Sequence, residues 1–211
     1  MITVYAVDIS HMEAACYDAL YKASSPERKV RADKSRNQDA ARCTIAAEAL
    51  LRYAVKSHLG ISDFTMEKNP YGKPRLTGIH DFYFNLSHSG HWVVLACGAT
   101  ELGIDVETIK AEQQKEKLAR RFFTPEEQSF IFGEETGIDE RFYQIWTAKE
   151  SYLKYLGTGL QKALNSFCVR TMEHPNFFFH RLADCAMTLC SEEKEYHVQL
   201  LSPEELLQRE R

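Results

Sequence analysis

The sequence predicts an α+β protein made of two similar-sized units, and three observations point there. The order strand, helix, strands occurs twice along the 211 residues, although no sequence repeat is visible between the halves. A boundary near residues 98 to 104 divides the chain into 1–101 and 102–211. An acidic strand, Gly103-Ile104-Asp105-Val106-Glu107, falls at that junction, and clefts between such units are common ligand sites.

Taken in order, residues 2 to 9 alternate like a first strand. Ser25-Pro26-Glu27 reads as a cap and first turn, leading into one long helix that ends near His58-Leu59-Gly60. Ile45, Ala49 and Tyr53, with Leu50 and Ala54, give that helix its core-facing stripe. Asn69-Pro70-Tyr71-Gly72-Lys73-Pro74 is a turn, and Lys73, held extended by the following proline, is expected to present its side chain from a rigid loop. Phe82 to Leu86 and Trp92 to Cys97 are strand-like, with Ser87-His88-Ser89-Gly90 as the tight connection between them. After the acidic strand, Lys110 to Arg121 is polar and charge-dense. Thr124-Pro125-Glu126-Glu127 then supplies an N-cap, a first-turn proline and acids. A helix over Glu140 to Leu156 is closed by Gly157-Thr158-Gly159. Phe167 to Arg170, Asn176 to Arg181 and Tyr196 to Leu201 read as antiparallel strands.

Composition narrows the function classes. With 44% hydrophobic residues the chain can bury a sizeable core, and its formal charge of -4 supplies no global field for nucleic acid. Any anion site must therefore be local. The six cysteines form no Cys-x-x-Cys pair, which favours reduced thiols over disulfides or zinc. The N-terminus lacks the basic region of a secretory signal, and no apolar run approaches the ~20 residues of a membrane span, so a cytoplasmic protein is expected.

Asp105 and Glu107 alternate with Ile104 and Val106, so on a strand both carboxylates share one face. On the later helix Glu150 and Lys154 lie one turn apart on one face. Three carboxylates with a lysine beside them suit magnesium, which takes few carboxylates and leaves its other positions to water and phosphate. Each stretch has an ordinary alternative: alternating acids occur on solvated strands, and a Lys-Glu-x-x-x-Lys face is often a surface ladder of ion pairs. Arg28, Lys29, Arg31, Lys34, Arg36 and Arg42 cluster at and after a helix start, either as a solvated face or as a phosphate site suited to arginine's forked donors. Ser87-His88-Ser89 lacks the Gly-x-Ser-x-Gly elbow of a hydrolase; its hydroxyl, imidazole and turn amides could instead hold a pyrophosphate. No Gly-x-x-x-x-Gly-Lys-Ser/Thr loop is present to cradle a nucleoside triphosphate.

Five motifs in order carry a resemblance: Tyr71-Gly72-Lys73-Pro74, Phe84-Asn85-Leu86-Ser87-His88-Ser89-Gly90, Gly103-Ile104-Asp105-Val106-Glu107, Phe122-Phe123-Thr124-Pro125-Glu126, and Trp146-Thr147-Ala148-Lys149-Glu150-Ser151 with Lys154. Together they resemble the 4'-phosphopantetheinyl transferases, in the long, monomeric form that activates surfactin synthetase, over about residues 2 to 200. The resemblance implies a pseudo-twofold pair of α+β half-domains with coenzyme A in the cleft between them. It implies magnesium, with manganese as a possible substitute, on Asp105, Glu107 and Glu150. Ser87 and His88 would hold the phosphates, Lys73 would lie near the adenine end, and Arg28, Arg31 and Thr44 would meet the 3'-phosphate. Lys154 would stand near the transferring phosphate and Glu150 would serve as general base. The implied reaction moves the 4'-phosphopantetheine arm to a serine of an apo acyl or peptidyl carrier protein and releases adenosine 3',5'-bisphosphate. A non-catalytic homologue binding coenzyme A or carrier domains is the alternative. Lys110 to Phe123 offers basic and apolar groups for an acidic carrier, and reads equally as a linker. Neither nucleic acid nor a membrane is expected as a partner.

Overall fold

The computed structural model describes residues 1–111 and 114–207. Its strands form two main sheets and a small hairpin. The first sheet, ordered β4-β5-β1-β9, joins β1 (Ile2–Asp8), β4 (Tyr83–Ser89), β5 (Trp92–Gly98) and β9 (Tyr196–Leu201). The second, ordered β6-β8-β7, joins β6 (Leu102–Thr108), β7 (Asn176–Leu182) and β8 (Cys185–Ser191). Each sheet places a hairpin beside the strand that opens its half of the chain: β4-β5 beside β1, and β7-β8 beside β6. The α+β class and its two halves are therefore built twice on one strand order. The hairpin β2 (Met66–Lys68) and β3 (Pro74–Leu76) carries the Asn69–Lys73 turn, in which Gly72 has a φ of 95°.

Strand alternation divides the core into layers. Along β1, Ile2, Val4 and Ala6 face β6 and β8 residues Leu102, Ile104, Val106, Met187 and Leu189, so the two sheets pack on each other. Tyr5 and Val7 face the opposite way, against the helices α1 (Ala14–Ala23), α2 (Pro26–Asp33) and α3 (Gln38–Leu59). The far face of the second sheet packs on α4 (Lys115–Phe122), α5 (Pro125–Phe132) and α6 (Ile138–Leu156). The Thr124-Pro125 start forms a capping box, with Thr124 Oγ1 accepting from Glu127 N and Glu127 Oε2 accepting from Thr124 N. All six cysteines are unpaired thiols. No helix among the described residues is long and apolar enough to cross a membrane.

Several sequence expectations are corrected. The single helix from Pro26 is two, because Asn37 caps a new one by accepting from Ala40 N at 2.8 Å while Ser35 Oγ turns back to Arg31 O. The helix α1 went unforeseen: its N-cap position, Glu13, makes no side-chain cap. Ser87, His88 and Ser89 belong to β4 and not to a turn, since they pair with Val94, Val93 and Trp92. The strand at 196–201 runs parallel to β1 in the first sheet. Phe167 to Arg170 forms no strand; the backbone groups of Phe167 and Val169 are taken by the side chains of Lys149 and Glu127. The stretch after Lys110 contains helix α4 from Lys115, while residues 112 and 113 of it lie outside the described residues.

Candidate active site

The acidic strand and the helix that faces it meet because of one missing side chain. A Cβ at Gly103 would lie 2.0 Å from Ser151 O and 2.4 Å from Tyr155 N, so only glycine lets α6 lie this close to β6. That contact sets Glu150 and Lys154 beside Asp105. Lys154 Nζ donates to Asp105 Oδ1 at 2.7 Å, to Ser87 Oγ at 2.9 Å and to Ile104 O at 3.1 Å. Ser87 Oγ donates to Asp105 Oδ1 at 2.8 Å, and Ser89 Oγ to Glu107 Oε2 at 2.8 Å.

The electrostatics show carboxylates held close together. Burial raises the Glu150 pKa; the Asp105 charge raises it further, Lys154 opposes, and Glu107 adds a smaller upward push. Burial also raises Glu107, against the Ser89 hydrogen bond, and Asp105 adds to the rise. Asp105 is 4% exposed, and its Oδ2 is buried without a hydrogen-bond partner. A buried carboxylate oxygen left unpaired is costly, so this atom is a ready ligand for a cation. Among the described residues, no three His, Cys, Asp or Glu side chains are already drawn together as a metal cluster. Lys154 fills one side of Asp105 and Ser89 holds Glu107. The donor set itself, hard carboxylate oxygens with Oδ2 free, fits magnesium.

One residue along β4 from Ser87, His88 borders a largely cationic groove of about 530 Å³, lined also by Arg31, Lys34 and Arg36, by Glu27, and by Thr44 of α3. Desolvation lowers the His88 pKa, and the charges of Arg31, Lys154 and Arg28 lower it further. Arg28 is itself lowered by desolvation and then by Arg31, with Glu48 opposing. Glu48 organises this end: it accepts from Ser25 N at 3.0 Å, Ser25 Oγ at 2.8 Å and Arg52 NH2 at 2.8 Å, and lies 3.9 Å from Arg28 Nε. Thr44 lines the groove, but its hydroxyl donates to Ala40 O at 2.9 Å. A second cavity of about 280 Å³ lies between the halves, bounded by Tyr71, Gly72 and Pro74 on one side and by Glu150, Leu153, Lys154 and Gly157 on the other. A hollow of about 830 Å³ between α4 and the start of α6 contains none of these carboxylates.

Two lysines depart from the sequence reading. Lys73 does not present its side chain: its ammonium is buried and donates to Glu101 Oε2 at 2.6 Å, Leu102 O at 3.0 Å and Tyr155 O at 3.2 Å. All three protons are spent within the protein. Lys149 is fully buried, 2.8 Å from Glu127 and donating to Leu164 O and Phe167 O, so it belongs to the core and not to the cleft. Sequence reasoning also passed over Ser89, whose place two residues beyond Ser87 on a strand puts it on the same face.

The sequence has counterparts among known proteins. Residues 101–203 match the family model of the 4'-phosphopantetheinyl transferase superfamily, and residues 13–100 match that of the 4'-phosphopantetheinyl transferase N-terminal region. A 4'-phosphopantetheinyl transferase of Bacillus subtilis is 33% identical over 156 residues, covering 72% of this chain and 69% of that protein. The chain belongs to the 4'-phosphopantetheinyl transferase superfamily. Within it, the chain is similar to the 4'-phosphopantetheinyl transferase Sfp of Bacillus subtilis (strain 168), 34% identical over 69% of this chain and 66% of that one. It is likewise similar to the transferase ffp of Bacillus subtilis, 32% identical over 74% and 70% of the two chains. The matched stretch thus spans about two thirds of the length of these relatives, 66% to 70%. This 4'-phosphopantetheinyl transferase superfamily member carries its acidic strand and Glu150 helix wholly within the second matched region, and its cationic groove within the first.

Proposed function

We propose that this protein transfers the 4'-phosphopantetheine arm of coenzyme A to a serine of an apo acyl or peptidyl carrier protein and releases adenosine 3',5'-bisphosphate. The observation that carries the reading is the meeting of Asp105, Glu150 and Lys154 beside a cationic groove, with Asp105 Oδ2 buried and unpaired. A pyrophosphate bridging cluster and groove would match both. Asp105, Glu107 and Glu150 would hold magnesium, which when bound supplies charge neutralisation for the pyrophosphate oxygens.

The chain's own groups account for the rest. Arg28 and Arg31 bind the 3'-phosphate, and Thr44 joins them by turning its hydroxyl away from Ala40 O. Ser87 and His88 hold the central phosphates; Lys73, its ammonium committed elsewhere, contributes only backbone and methylenes at the adenine end. The carrier serine oxygen attacks the phosphorus bearing the pantetheine arm. The bond from that phosphorus to the bridging oxygen breaks, and the electron pair leaves with adenosine 3',5'-bisphosphate. Lys154, whose three protons go to Asp105, Ser87 and Ile104 O in the structure, turns one of them to the transferring phosphate and stabilises charge there. Glu150 takes the serine proton, directly or through a water. The division into 1–101, with the 3'-phosphate and adenine side, and 102–211, with the catalytic side, is part of the same proposal. Helix α4 offers an acidic carrier its exposed Arg120. The protein acts as a cytoplasmic monomer in this reading.

The test is intact-mass measurement of apo acyl, peptidyl and aryl carrier proteins after incubation with coenzyme A and magnesium. A gain of one phosphopantetheine on any carrier is expected, and Asp105→Ala or Glu150→Gln should fold but lower the rate by at least about 100-fold. No gain on any carrier, or near-normal transfer by either variant, overturns the reading.

A further inference from the structure

The two sheets meet at β4 and β6, which are edge strands of their own sheets. An edge strand leaves backbone N–H groups that need acceptors. Here side chains of β4 supply them: Asn85 Oδ1 accepts from Ile104 N at 2.9 Å, Ser87 Oγ from Val106 N at 3.4 Å and Ser89 Oγ from Thr108 N at 3.0 Å. The period of two is the same on both strands, so one side-chain ladder replaces the backbone ladder between the halves.

A hydroxyl has one proton to give. When its lone pair is fixed by a backbone N–H, that proton is aimed. In Ser87 it reaches Asp105 Oδ1, and in Ser89 it reaches Glu107 Oε2, each at 2.8 Å. Ser87 also accepts from Lys154 and belongs to the reacting cluster, whereas the further neighbour of the Ser89 hydroxyl is Thr108 Oγ1 at 3.3 Å. The space is confined: a Cβ on Gly90 would come within 2.7 Å of the same Thr108 Oγ1. We propose that Ser89 is a positioning residue that holds the Glu107 carboxylate in the orientation required for the metal, so that β4 of the first half sets the metal affinity of the second. This rests on the reading of Glu107 as a metal ligand.

Hydrogen-bond partners of metal-ligating carboxylates typically contribute ten- to a hundredfold in metal affinity. The test is a manganese titration followed by the electron paramagnetic resonance signal of the free ion, with protein in excess over coenzyme A. It compares wild type, Ser89→Ala, Ser89→Thr and Glu107→Gln. Ser89→Ala is expected to weaken manganese binding about tenfold, with a matching rise in the metal concentration for half-maximal transfer, and Ser89→Thr to restore it to within about twofold. The KM for coenzyme A at saturating metal should not move. Wild-type affinity in Ser89→Ala together with weakened binding in Glu107→Gln overturns the positioning role alone. Wild-type affinity in both Ser89→Ala and Glu107→Gln overturns the metal assignment of Glu107 itself.

Discussion

At the scale of the residue, Glu150 is held at a cost to the metal-free fold. Burial and then Asp105 raise its pKa above the unfolded value. Between the unfolded and folded values the native chain therefore binds more protons than the unfolded chain, and stability rises as pH falls through that window. Above it the ionised carboxylate is worse off folded. In the presence of a chelator, Glu150→Gln is therefore expected to be more stable than wild type at pH 8 by about 1 kcal/mol, in the usual trade between site chemistry and stability. The advantage should shrink as pH is lowered toward the ordinary carboxylate range. Urea denaturation at several pH values measures it, and a glutamine variant less stable at pH 8, or an advantage independent of pH, refutes the account. The acids themselves were legible, because Asp105 and Glu107 sit at strand period and Glu150 and Lys154 at helical period. Two of the lysines were not: Lys73 and Lys149 have side chains 7% and 0% exposed. Their roles follow from which carbonyls and carboxylates of distant segments surround each ammonium, and one-dimensional spacing carries no record of that.

At the scale of the element, the site depends on how closely α6 lies on β6. Ser151 O and the Tyr155 backbone, which bracket Lys154, touch the position where a Gly103 side chain would stand. Backbone cannot step aside as a flexible side chain does, so Gly103→Ala must push the helix outward and carry Glu150 and Lys154 away from Asp105. Overpacking of this kind typically costs about 3 kcal/mol when the obstacle is rigid. The expected outcome is a folded but less stable protein whose transfer rate falls at least about tenfold, since displacement by an ångström or so is enough to disrupt positioning. Wild-type rate in a folded Gly103→Ala variant would show that the close approach is dispensable. Elements with local signals were readable from sequence: the Thr124 capping box, the glycine-closed end of α6 and the alternation of β6. The break between α2 and α3 and the strand character of Ser87 to Ser89 were not. The first rests on a local cap, Asn37 on Ala40 N, inside a continuous helical pattern, and the second on partners elsewhere, as β5 residues Val94 and Val93 extend β4 through sequence that looks like a turn.

At the scale of the whole molecule, two halves legible as separate units share structure that neither owns. The layer between the sheets combines Ile2, Val4 and Ala6 with Ile104, Val106, Met187 and Leu189, all fully buried. The late strand β9 lies on β1, and Leu206 beyond it is 2% exposed in the core of the first half. Its return to the first sheet was not readable, because alternation predicts a strand but not the neighbour it chooses. Separating the halves would expose this layer and strip the acceptors from the β6 backbone, so neither half should open alone. The chain's two tryptophans allow a direct test, since Trp92 lies on β5 of the first half and Trp146 on α6 of the second. Trp146→Phe leaves a reporter of the first half, and Trp92→Phe leaves one of the second. For each variant the urea midpoint by fluorescence is expected to coincide with its own midpoint by far-ultraviolet circular dichroism. Fluorescence midpoints that precede the circular-dichroism midpoint in one variant and follow it in the other would show the halves unfolding separately. Ser89 of the first half would then hold the Glu107 carboxylate of the second only when both halves are folded and docked.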